Sequence, residues 1–214
     1  MGKKERIRFM SLSIAGALVE LKLLDKRIEK ATSGGLFVSH KQGKDVPKLF
    51  KNIEEVNETI KASVQSATDL IKRRNAIKSA IVVSNATTKV NIAGETMTVA
   101  EAIERKNSIE YDKALLYSYQ RQLATAIKHI DKHNSDIANR ADVMVQTFLG
   151  NDKSKATEAE TLRSNFLESH SASLIDPIDI KKIIHNLELY IDNFEAEVDL
   201  VLSTSNAITY VEMN

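Results

Sequence analysis

Six apolar residues recur at an unbroken spacing of seven along one stretch of this chain: Ile109, Leu116, Leu123, Ile130, Ile137 and Met144. From Val99 to Leu149 there is neither Pro nor Gly. A seven-residue period holds an apolar stripe on one side of an α-helix, and Pro or Gly would interrupt it. The pattern therefore predicts one continuous helix, roughly 75 Å long at ~1.5 Å per residue. Ala102, Tyr119, Ala126, Ile127, Ala141 and Phe148 broaden the stripe. Asn134-Ser-Asp136 and Asn139 are its weakest helix formers, so a kink is expected there. Gly150 ends it.

The same reading extends to both sides. Leu18, Leu21, Leu24 and Ile28 predict a first helix over about Ser11 to Ala31, stopped by Thr32-Ser-Gly-Gly35 with a glycine as left-handed cap. Ser39 to Asp45 is polar and reads as a loop. Pro47 is placed at the first turn of a second helix. Its seam runs through Ile53, Val56, Ile60, Val64, Ala67, Leu70 or Ile71, Ile77 and Ile81. One register position is not apolar, because Arg74 stands between Ala67 and Ile81. A short helix is expected from Ala156 to about Ser169. Asp176-Pro177 is expected to open a last one, with a heptad of Ile180, Ile184, Leu187, Ile191, Phe194, Val198 and Val201.

Helical periodicity lapses between Thr88 and Thr98. Lys89 to Ile92 and Glu95 to Thr98 each alternate polar and apolar residues around Ala93-Gly94, which predicts a β-hairpin. Thr98-Val-Ala-Glu101 then reads as a capping box opening the long helix. The tail, Ala207 to Glu212, alternates like a strand that could extend the hairpin sheet or pair with a neighbouring subunit. The expected fold is mainly α, a long-helix bundle with one hairpin at about 88–98. Residues 1–150 would form the helical core and 151–214 a helical extension packing on it.

Composition excludes several classes. Thirty Lys plus Arg against 29 Asp plus Glu leave a formal charge of +1, so no nucleic-acid partner is expected. Two Pro and seven Gly in 214 residues are too few for a many-stranded sandwich or barrel. With no Cys, there is no disulfide, thiolate metal site or cysteine nucleophile. No run approaches the roughly 18 apolar residues of a membrane span. The basic start superficially resembles a signal peptide, but Glu20, Lys22 and Asp25 interrupt its apolar run. Gly2 lacks the Ser or Thr that myristoylation needs, since Arg6 holds that place. A cytoplasmic protein without a membrane partner is expected, in a bacterium or a phage-infected host cell.

Chemistry is sparsely signposted. Nucleophile-elbow, zincin, phosphate-loop and dinucleotide motifs are all missing, so no enzyme and no cofactor are expected. His129 and His133 are four apart on the third helix with Asp136 nearby, a spacing able to hold a metal. Flanking Lys128 and Lys132 favour a solvated face instead, and no metal site is assigned. The densest polar cluster lies where the hairpin joins two helices. Arg73, Arg74, Lys78, Asn85, Thr87, Arg105 and Lys106 are its candidate ligand contacts, with Tyr111 as a stacking surface. A semi-buried Arg needs an acceptor. For Arg74 and Arg105 that acceptor is either Glu101, giving a salt-bridged junction, or a bound phosphate or nucleotide.

Ser84-Asn-Ala-Thr-Thr followed by Thr98-Val-Ala-Glu-Ala-Ile-Glu-Arg105 resembles the septicolysin-like family of small helical bacterial proteins. The resemblance covers residues of about 11–125 and implies a helix–hairpin–helix architecture. It implies no activity, and it lapses in the longer third helix and the 151–214 region. The general style also resembles that of phage-encoded proteins. Two functions follow as expectations. One is a non-enzymatic homo-oligomer that sequesters an anionic small molecule, such as a nucleotide immune signal. The other is a structural or adaptor coiled-coil protein of a phage particle or bacterial assembly.

Overall fold

The computed structural model describes residues 10–151 and 153–213, so the Gly2 reading and the basic start of the signal-peptide reading lie outside the described residues. The fold is mainly α, with five α-helices and two antiparallel strand pairs among those residues. Two compact units divide the chain: one of residues up to Asn107 together with Asn193 onward, the other Ser108–Asp192. Both boundaries fall inside long helices.

The first unit begins with strand β1 (Met10–Ser13), where a helix start was expected. Ser13 ends the strand and caps helix α1 (Ile14–Gly34), its hydroxyl accepting from the Gly16 amide at 3.1 Å. Gly35 follows in an extended conformation at φ −76°, not the left-handed cap expected. Glycine is needed there for closeness, because a Cβ would lie 2.6 Å from both the Ala31 carbonyl and the Phe37 ring. Pro47 also departs from expectation. It opens a turn closed by the Phe50 amide on its carbonyl, and helix α2 (Ile53–Thr87) starts later. Asn52 caps α2 by accepting from the Glu55 amide at 2.9 Å.

α1 and α2 run antiparallel, since Leu36 meets Ser63 while Glu20 meets Arg73. Their apolar stripes enclose Ile14, Ala17, Leu21, Leu24, Ile77 and Ile81, and Val211 of the last strand completes the cluster. Strands β2 (Lys89–Ile92) and β3 (Glu95–Thr98) form the expected hairpin. Ala93 and Gly94 both have positive φ, 51° and 80°, which is the two-residue turn that suits strand twist. The capping box is also present. Thr98 donates its amide and hydroxyl to Glu101, and the Glu101 amide donates to the Thr98 hydroxyl. Strand β4 (Tyr210–Met213) pairs with β1, so it neither extends the hairpin nor waits for another subunit.

Helix α3 (Val99–Leu149) is unbroken. In the second unit its buried residues include Ile109, Ile137 and Ala141. The expected kink at Asn134 does not interrupt it. Asn134 instead satisfies the backbone of Ala172, accepting from its amide at 2.7 Å and donating to its carbonyl at 3.0 Å. That residue follows helix α4 (Ala156–His170). Gly150 supplies the left-handed stop at φ 48°. Helix α5 (Ile180–Ile208) begins after Asp176-Pro177, not at it. The Asp176 carboxylate accepts from the Ile180 amide at 3.0 Å and so forms its cap. Among its heptad positions Ile191, Phe194 and Val198 are buried.

Candidate functional site

Arg74 stands thirteen residues before the end of α2, about 20 Å from the hairpin at ~1.5 Å per residue. That distance decides its partner. Its Nε donates to Asp25 of α1 at 2.5 Å, and Arg73 beside it donates to Glu20 at 2.9 Å. The expected Arg74–Glu101 bridge is therefore corrected, and with it the idea that Arg74 and Arg105 meet at the hairpin. Helix packing sets this arrangement: two consecutive arginines flank the buried Ile77 stripe, and they meet Glu20 and Asp25, acids about one and a half turns apart on α1.

The remaining candidates are dispersed. Lys106 Nζ donates to Asp199 at 2.5 Å. Arg105 is half-buried and engaged in a polar interaction of its own. Thr87 turns its hydroxyl back to the Val83 carbonyl at 3.0 Å, so it offers little to a ligand. Asn85 is half-buried and Lys78 exposed. Tyr111 belongs to the other unit and is 80% exposed. Three of the cations that were to hold an anion are thus neutralised by carboxylates. No convergent positive hole remains around them.

Glu101 is committed to the cap. The Thr98 amide, and then its hydroxyl, hold the Glu101 carboxyl below the ordinary value of 4.5, with Lys89 adding a smaller pull. Of the histidine pair, His133 is likewise occupied structurally. His133 Nε2 lies 2.8 Å from the His170 carbonyl, and among the described residues no three His, Asp or Glu converge on a metal position. Tyr119 and Leu123 line a cavity of about 260 Å3 closed by Leu174, Ile175 and Ile178. Its one carboxylate, Asp176, caps α5. That cavity suits apolar contact.

The feature that sequence reasoning passed over is the loop between α1 and α2. His40, Lys44, Lys48 and Lys51 line an open basin of about 680 Å3 there, with Asp45 the only acid. A polar loop was recognised from Ser39 to Asp45, but stopping at Asp45 left Lys48 and Lys51 outside it. The available signal was charge density: four Lys and one Asp within residues 40–51, in a chain of net charge +1. A second cleft, about 740 Å3, runs between α1 and α2 and carries Arg27 and Lys30.

Compared with known protein families, curated proteins and solved structures, the chain matches none of them.

Proposed function

We propose that this chain is a non-enzymatic helical protein that works by self-association, as a structural or adaptor component. One observation carries the reading: apolar residues at helical spacing remain in water on faces turned away from the core. On α1 these are Leu18, Val19 and Leu23, and on α2 Val64, Ile71, Val82 and Val83. Single exposed apolar residues are ordinary on any surface, whereas rows of them on adjacent helices mark contact faces. Each of these side chains is roughly half exposed. Covering one contributes about 1 kcal/mol, half the value of burying an aliphatic residue completely. Seven such positions approach the ~8 kcal/mol of a micromolar complex before the costs of association.

Sedimentation at micromolar concentration tests the reading. The parent is expected to form a discrete oligomer. Val19→Glu with Ile71→Glu is expected to shift it to monomer while helix content is kept. A parent that sediments as a strict monomer overturns the proposal. A second reading, capture of an anionic small molecule, is favoured by the unneutralised lysines of the α1–α2 loop. Absorbance at 260 nm after heat denaturation would reveal a carried nucleotide.

A further inference from the structure

We infer that the loop between α1 and α2 is a binding site for a phosphate-dense ligand, either a free polyphosphate-bearing molecule or an anionic lipid headgroup. The argument begins with neutralisation. Arg73, Arg74 and Lys106 each have a carboxylate within 2.9 Å. Lys41, Lys44, Lys48 and Lys51 have no acceptor for their ammonium groups among the described residues. Arg73, Arg74 and Lys106 are spent on acids, whereas Lys44, Lys48 and Lys51 line one basin together with a single acid, Asp45. Like charges around one basin repel one another, and an incoming polyanion relieves that repulsion.

The loop is also built. Gln42 and Asp45 exchange two backbone hydrogen bonds, at 3.0 and 2.9 Å, around Gly43 at φ 62°. A second turn is closed from Phe50 to Pro47 at 2.9 Å. The exit is pinned where the Lys51 amide donates to Glu55 at 2.7 Å. Lys44, Lys48 and Lys51 therefore project from successive fixed turns around one basin of about 680 Å3, within the range of small-molecule sites. Val46 and Pro47 are its only apolar lining residues, which disfavours a hydrophobic ligand. Asp45 repels an anion, so a single negative charge is held poorly. Several phosphates together are needed to engage three lysines. No Phe, Tyr or Trp lines the basin, and His40 is its one ring for base stacking, so nucleic acid fits less well.

The test uses the full chain. Calorimetry with sodium tripolyphosphate reads the free form of the ligand. Co-sedimentation with phosphatidylcholine vesicles, with and without phosphatidylglycerol, reads the headgroup form. The parent is expected to bind at least one probe at low salt and to release it at high salt. Lys44→Gln, Lys48→Gln and Lys51→Gln together are expected to weaken binding about 100-fold, at about five-fold per lysine. Lys128→Gln with Lys132→Gln, exposed on α3, controls for net charge and should bind nearly as the parent does. Should the triple variant melt early, the three single variants carry the same test at about five-fold each. Tripolyphosphate binding alone would assign a free ligand, and vesicle binding alone a headgroup. Binding of neither probe overturns the site, as do a triple variant that binds like the parent and a control that loses as much. Preference for duplex DNA over both probes also overturns it. None of these outcomes depends on self-association.

Discussion

Replacing Arg74 separates two accounts of the same side chain. A basic residue in an apolar register is either matched by a carboxylate or kept for a ligand. The geometry matches it with Asp25, and the side chains of the pair are 38% and 53% exposed. Solvent screens a pair this open, and exposed pairs are worth about 0.2–1 kcal/mol. A four-corner cycle of Arg74→Met, Asp25→Asn, the double variant and the parent should return a coupling of about 0.5 kcal/mol in low salt. At about 1 M salt, where the screening length is near 3 Å, the coupling should fade to the noise. In thermal unfolding it amounts to a shift of about 1–2 °C for a chain of this size. A parallel cycle pairing Arg74→Met with Glu101→Gln should be additive within about 0.5 kcal/mol, because the two side chains share no contact. The outcome that refutes the reasoning is the reverse assignment: strong coupling of Arg74 to Glu101, and none to Asp25 at any salt concentration.

Two further expectations are sharper in sign than in size. Gly35→Ala should destabilise by about 1–3 kcal/mol, since its Cβ meets a backbone oxygen at 2.6 Å, whereas Gly34→Ala, with open space around it, should stabilise by about 0.4–1 kcal/mol. Melting curves that rank the two variants the other way would remove the close-packing argument. Glu101→Gln should lower the melting temperature at neutral pH. The folded carboxyl titrates below its ordinary 4.5, so its contribution is present above that value and is lost as pH falls through the folded one. Parent and variant should therefore converge on acidification, and a gap that widened instead would place Glu101 outside the cap.

The periodic elements could be read from sequence because each follows from neighbours along the chain. The spacing of seven fixes α3, and Ala93-Gly94 between alternating tetrads fixes the hairpin. Thr98 and Glu101 are three apart and need nothing else to meet. What escaped depends on partners far away in the chain. Met10–Ser13 has too few residues to announce a strand, and it becomes one only against Tyr210–Met213. Asn134 is a poor helix former by propensity, yet the waiting Ala172 backbone turns that polarity into an anchor. Arg74 revealed by its register that it sits beside a helix seam, but register cannot choose between Asp25 and Glu101. The charged loop was missed for another reason. Its charge density, four Lys to one Asp over residues 40–51, stands in the sequence, but that Lys44, Lys48 and Lys51 share one basin is displayed only by the folded chain.

The ladder between β1 and β4 also sets an order of events during synthesis. A ribosome delivers α1 and α2 early, but Val211, which completes their cluster, emerges only after the whole of residues 108–192. Until then Ile14 and Leu12 lack part of their covering, and the Ile14 amide waits for the Thr209 carbonyl, which it meets at 2.8 Å. Contacts this distant in sequence form slowly, because the intervening chain must be ordered before they contribute. The first unit therefore closes last although its helices are made first, and its nascent helix pair depends on whatever shields apolar surface in the interval.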